Sequence, residues 1–307
     1  MFETPILFLV FNRPSATRVV FNQLRECRPM HLYIAADAAR PEIAGEFKLC
    51  EEVKKIISEV DWPCKVHHLF REQHLGCKLA VSGGINWFFE TVEAGIILED
   101  DCMPSLSFFT FCATMLTKYS SYPNVFHITG NNFQQGIPRG LSSYYFSKYA
   151  HIWGWATWRR AWNQYHLQLT NWSQYSKSAD FKKWFTSKKE FSFWSKKFNT
   201  YHQNPDINNY WSLQWQYACW YHDAWTITPQ KNLVTNIGIG SGTNTTIYLK
   251  HLIIPAEPLL APYTTPTEKT LNLEADSYTF KHVFLYKGTI QSRIKYHIGR
   301  FRKKLNV

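Results

Sequence analysis

An apolar run from Pro5 to Phe11 stops at Asn12-Arg13-Pro14 and gives way to a segment, Ala16 to Cys27, with Val19, Val20 and Leu24 at helical spacing. Strand, polar turn and helix form the opening of an α/β unit. His31 to Asp37 predicts a second strand ending in an acid before Arg40-Pro41, and Phe47 to Val60 predicts the next helix. Lys65 to Phe70 fits a third strand and Lys78 to Thr91 a third helix. Ala94 to Leu98 then predicts a fourth strand, closed by the acidic triplet Glu99-Asp100-Asp101. Strands alternating with helices imply a mostly parallel central sheet, and such sheets bind ligands beyond the carboxyl ends of their strands. Asn12, Arg13, Asp37, Arg71 and the triplet all fall at that edge.

Beyond Pro104 the pattern turns aromatic and less regular up to about residue 250, with no linker between the two textures. The expected organisation is one continuous fold: residues 1–105 as a first half of alternating strands and helices, 106–250 as an aromatic-rich second half, and 251–307 as an extended segment and tail. Proline-rich residues 255–266 read as chain running over the surface. From Thr289 to Leu305, Ile290, Ile294, Ile298, Phe301 and Leu305 share one helical face, with arginines and lysines around the rest. That pattern predicts a basic amphipathic helix, able to lie on an anionic membrane or to pack back on the domain.

At 307 residues with 45% hydrophobic content, the chain has enough apolar side chains for a large core, which excludes a disordered protein. The first apolar run lacks a basic leader and breaks at Asn12, so it reads as a buried strand rather than a signal peptide. No apolar stretch approaches the roughly 18 residues of a membrane-spanning helix. Seven scattered cysteines without a C-x-x-C pair suggest buried thiols in a reducing compartment. The expected location is therefore cytoplasmic, with peripheral attachment to the inner membrane face through residues 289–305. A net charge of +11 favours anionic partners, and 13 tryptophans favour sugar rings or a bulky aromatic core.

A diphosphate leaving group needs neutralising as a sugar's anomeric bond breaks, and a divalent cation held by a carboxylate at a strand end does this well. The triplet is suitably placed; an acidic turn or a helix cap is its other reading. Several short motifs accompany it in order: Leu9 to Pro14; Phe70-Arg71 with Leu75-Gly76; Ile97 to Asp101 followed by Pro104 and Phe108-Phe109; Trp153 to Trp158; and Pro229 with Asn232 to Gly238. With this set the chain resembles the bacterial nucleotide-diphospho-sugar transferases and, more distantly, the eukaryotic N-acetylglucosaminyltransferase I group.

The resemblance implies an A-type glycosyltransferase fold, with residues 1–105 as its nucleotide-sugar-binding half and 106–250 as its acceptor and donor-sugar half, a UDP-linked donor, transfer with inversion to a hydroxyl of a surface-glycan or lipid-linked acceptor, and Mn2+ or Mg2+ as cofactor. It implies that Phe11, Asn12, Arg13 and Asp37 meet the nucleotide, Asp37 accepting from a uracil imide. Arg71, Gly76 and Lys78 would shape the donor pocket, Glu99 and Asp100 would approach ribose or sugar, and Asp101 would hold the metal. Gly154 and Trp155 would border the donor sugar, the missing side chain of Gly154 permitting close backbone approach.

Two departures from the family pattern matter. The W-D-x-Q-W motif, whose acid is a plausible general base, is Trp211-Ser212-Leu213-Gln214-Trp215 here, and a downstream histidine is replaced by Asn244. Asp206 is the expected substitute base, with Glu99 or Asp100 next, and Asp223 is expected at a solvated helix end. A sugar nucleotidyltransferase is a rival, although Asn12-Arg13-Pro14 is not a glycine-rich basic loop. A non-catalytic glycan- or nucleic-acid-binding protein is another. No nucleic-acid partner is expected on the enzyme reading.

Overall fold

The computed structural model describes residues 1–206, 209–239 and 251–286. The basic tail from 289 to 305 and Asn244 lie outside the described residues. Chain order runs β1 (Ile6–Val10), α1 (Pro14–Cys27), β2 (His31–Ala36), α2 (Glu46–Ile57), β3 (Lys65–Phe70), α3 (Gly76–Thr91), β4 (Ala94–Glu99), β5 (Cys102–Pro104), α4 (Leu106–Lys118) and β6 (Val125–Thr129). It continues with β7 (Tyr144–Ser147), β8 (Trp155–Trp158), α5 (Arg159–Trp162), α6 (Trp172–Tyr175), α7 (Ala179–Lys182), α8 (Lys188–Gln203), α9 (Ser212–Tyr221), β9 (Trp225–Pro229), β10 (Val234–Asn236) and α10 (Leu273–Thr279).

Eight strands form one sheet in the order β3-β2-β1-β4-β8-β6-β9-β7. The first four are mutually parallel, as the alternating pattern predicts, with Leu9 of β1 beside Ala35 of β2 and Glu99 of β4. β8 enters antiparallel between β4 and β6, and β7 closes the far edge antiparallel to β9. The sheet is therefore mixed, flanked by helices, and runs through both textures of the sequence. β10 pairs antiparallel with β5 in a small second sheet, setting Asn236 opposite Cys102.

The central strands are buried on both faces, which explains their unbroken apolar runs. Ile6, Phe8 and Val10 join one core with α1, α2 and α4, while Leu7 and Leu9 join another containing residues of α3 and α9. α1 begins with Pro14 in its first turn, where the missing N–H costs nothing. It ends at Arg28 in the left-handed region, whose N–H returns to the Leu24 carbonyl. Trp155, Trp158 and Trp162 are core; only Trp153 of that group is partly exposed.

A third, aromatic core packs α6 to α9 around Trp172, Trp194, Phe198 and Trp220. Beside it lies the buried ion pair of Lys148 and Glu190, 2.8 Å apart, with Tyr149 also hydrogen-bonded to Glu190. Ser187 caps α8 by accepting the Glu190 amide at 3.2 Å. All seven thiols are free; Cys50, Cys102, Cys112 and Cys219 are buried, and Cys27, Cys64 and Cys77 are half-buried. Among the described residues no helix is long and apolar enough to cross a membrane.

Candidate functional site

Parallel strands release their chains on one side of the sheet, so the loops after β1, β2, β3 and β4 meet there. They border a cavity of about 1050 Å³. Phe11, Arg13, Asp37, Arg71 and Glu99 line one part of it, whereas Phe133, His151, Trp153, Trp194, Trp211 and Phe284 form an aromatic wall.

Arg13 is the centre of the polar part. Its Nη2 lies 2.5 Å from Asp100 Oδ1 and its Nη1 2.6 Å from Asp101 Oδ2. The amide of Phe11 donates to Asp100 Oδ2 at 3.3 Å. Burial works against the Arg13 charge, but Asp100 and Asp101 outweigh it and raise its pKa. Burial works against the charge of the acids as well. Burial, then Asp101 and Asp100, push Glu99 up to about 8, with Arg13 opposing. Burial likewise raises Asp100 to about 7 against the pull of Arg13.

Gly238 closes the triplet from the side of β10. A Cβ there would lie 2.2 Å from Asp101 Oδ2 and 2.7 Å from Arg13 Nη1, so only glycine lets the chain pass. The Asn-Ile-Gly motif by itself does not disclose this role of Gly238, because Asp101 and Arg13 lie far from it in sequence.

Asp37 has a different setting from the one the resemblance implies. Its Oδ1 accepts from the amides of Ala38 at 3.0 Å and Leu75 at 2.9 Å, and its Oδ2 from Gly76 at 3.0 Å. His74 Nδ1 stands 3.0 Å from the same Oδ2. The carboxylate thus fastens β2 to the start of α3, where Gly76 takes a φ of 76°. Asn12 donates to Glu46 Oε1 at 2.7 Å, and Arg40 clamps Glu46 through its amide, Nε and Nη2. These bonds, Arg40's first, hold the Glu46 carboxyl down to about 2 against its burial. Phe11 packs beside His74 with ring centroids 5.3 Å apart. Arg40, Glu46 and His74 were not predicted as site residues; a buried acid in the first turn of α2 carries no sequence signature beyond a helix-start preference.

Other predicted residues sit outside the cavity. Lys78 donates from Nζ to the Pro205 carbonyl at 2.8 Å and from its amide to Asn209 Oδ1 at 3.0 Å, tying α3 to both residues. Asp206 is fully exposed, 3.8 Å from Lys78 Nζ, and does not line the cavity. Asp223 pairs with Lys183 at 3.1 Å beyond the end of α9, as expected of a solvated end. Trp155 is fully buried among Trp162, Trp211 and Trp215, so the ring this segment offers the cavity is Trp153. Gly154, with φ 71°, is required by packing, because a Cβ would meet Val234 Cγ2 at 2.7 Å. Ser212, in contrast, lines the cavity from the first turn of α9.

A divalent ion does not fit these residues as they stand. Both Asp100 oxygens and one Asp101 oxygen already face cationic or N–H donors, and the second Asp101 oxygen faces Cys102 Sγ at 3.4 Å. Among the described residues no group of three His, Cys, Asp or Glu side chains is arranged to hold a metal.

No family model matches the chain, and no curated protein does. Solved structures that resemble it include HddC from Yersinia pseudotuberculosis, at 10% identity over 54% of this chain and 80% of that one, with a TM-score of 0.33. Mouse xyloside xylosyltransferase 1 matches at 13% identity over 45% of this chain and 55% of its own, with a TM-score of 0.29. Apo UDP-glucose pyrophosphorylase matches at 10% identity over 76% of this chain and 93% of its own, with a TM-score of 0.38. The chain spans little more than half of the xylosyltransferase. Similarities this distant leave the chemistry to be argued from the site itself.

Proposed function

We propose that the protein is a glycosyltransferase that moves a sugar from a nucleoside diphosphate donor, UDP-linked, onto a hydroxyl of a glycan or lipid-linked acceptor, with inversion. The observation that carries this reading is that one cavity at the strand ends is lined by Arg13, Arg71 and a set of aromatic rings. Guanidinium groups suit phosphate oxygens, and flat amphipathic rings suit the faces of sugars. Phe11 and His74 offer ring surfaces for a base, and Arg71 lines the cavity with no carboxylate at ion-pair distance among the described residues.

Acceptor deprotonation is the step least provided for. The cavity-lining acids are Asp37, Glu99, Asp100 and Asp101. Asp37 and the two aspartates of the triplet are held by their partners, which leaves Glu99 as the acid for proton transfer. Its raised pKa, about 8, lies near neutral pH, where acid–base exchange is most effective.

The test is thermal shift and calorimetry against UDP-, GDP-, CMP- and dTDP-sugars. Selective stabilisation by one donor class supports the reading, and none by any of them rejects it. Attachment to anionic membrane through residues 289–305 belongs to the same proposal. Deleting residues 289–307 should abolish liposome binding and spare donor binding; unchanged liposome binding would remove the membrane claim.

A further inference from the structure

Arg13 follows β1 directly, and its side chain reaches to the end of β4, where one guanidinium spans two consecutive carboxylates. Those carboxylates are nearly buried, with side-chain exposures of 3% for Asp100 and 9% for Asp101. The backbone of Gly238 is packed against the same pair, leaving no room for a Cβ beside Asp101 Oδ2. A planar guanidinium with two fork tips on two acids is a fixed geometry, not a loose surface contact. A hydrated divalent ion needs several oxygen ligands in near-regular array, and could gain Asp101 only by expelling Arg13 from a buried pair.

We infer that Arg13 is the resident cation of this site, neutralising Asp100 and Asp101 in place of a divalent metal, and that nucleoside diphosphate binding proceeds without one. The second half rests on the glycosyltransferase reading; the first half does not. Diphosphate charge would then meet Arg71, which lines the same cavity, and the outer edge of Arg13, which remains 29% exposed. Displacing a buried partner disfavours metal binding by roughly a hundredfold or more.

The first experiment uses manganese alone, counting free Mn2+ by electron paramagnetic resonance over the parent, Arg13→Met and Arg13→Lys proteins. The parent and Arg13→Lys should bind no manganese at micromolar concentration, while Arg13→Met, its acids bared, should gain a site about a hundredfold tighter. Micromolar binding by the parent would overturn the inference, whether or not either variant folds. The second experiment titrates UDP into the parent by calorimetry in EDTA and again in manganese. Equal affinities are expected; a tenfold or greater tightening by manganese would overturn it. Should UDP bind in neither buffer, the nucleotide reading fails, and the manganese-only titration still decides the role of Arg13.

Discussion

Asp37→Asn tests whether this residue positions the site or reads the ligand. In the structure its two oxygens accept three backbone amides at 2.9–3.0 Å and face His74 Nδ1 at 3.0 Å. An asparagine oriented to keep the Ala38 and Leu75 bonds must point its amide nitrogen at the Gly76 N–H, donor against donor. One charge-assisted bond, worth about 1.5–3 kcal/mol, is lost, and a buried donor goes unpaired at a further cost of about 1–3 kcal/mol, partly the same energy. The sum expected in urea unfolding is about 2–4 kcal/mol of lost stability, because the start of α3 loses its tether to β2. Donor binding should weaken as a consequence, through displaced Phe11 and His74. An unfolding free energy within about 0.5 kcal/mol of the parent, with donor binding abolished, would refute this and return Asp37 to direct base recognition.

Ser212→Asp puts a carboxylate on the cavity wall at a helix N-terminus that favours negative charge, so transfer should rise at least about tenfold at unchanged stability. No gain would place the acceptor hydroxyl elsewhere. Asp206→Asn should leave transfer within about twofold, since Asp206 is fully exposed beside Lys78; a large loss would show that Asp206 reaches the cavity when substrate is bound. Gly238→Ala should lower stability by about 1–3 kcal/mol and weaken donor binding by driving a methyl into the Arg13–Asp101 pair; parent-like values for both would mean the triplet yields easily. Burial raises buried Asp276 from 3.8 to about 7, against the pull of Lys148 and the Ser147 hydrogen bond. The unfolded chain therefore sheds this proton first, and stability should fall as pH rises through that window. Melting temperatures of Asp276→Asn relative to the parent should climb from pH 4 to 7, and a pH-independent difference would contradict the assignment.

The first four strands and three helices were legible because local periodicity and tertiary burial agree there: a parallel strand buried on both faces must be apolar throughout, and Ile6 to Val10 or Ile96 to Leu98 can be little else. The same logic placed Arg13, Asp37, Arg71 and the triplet at one edge, since strand direction alone fixes which ends converge. β8 was not legible. Trp155 to Trp158 reads as an aromatic loop motif, and only its insertion between β4 and β6 makes it a central strand whose first tryptophan is wholly buried.

Partner choice was the other thing that periodicity could not supply. Arg13 and the triplet are 87 and 88 residues apart in the pairs they form, and Asp37 meets Gly76 across 39. Sequence gives each of them a charge and an edge, and a ligand is then the natural guess for what the charge is for. The structure shows that much of this charge is already satisfied within the protein: Asp37 by amides, Glu46 by Arg40, Asp100 and Asp101 by Arg13. What remains available to a ligand is narrower than the motifs suggest, chiefly Arg71, Glu99 and the aromatic wall. A charged residue at a strand end is thus evidence of a site, while its role depends on whether a neighbour from a distant element has reached it first.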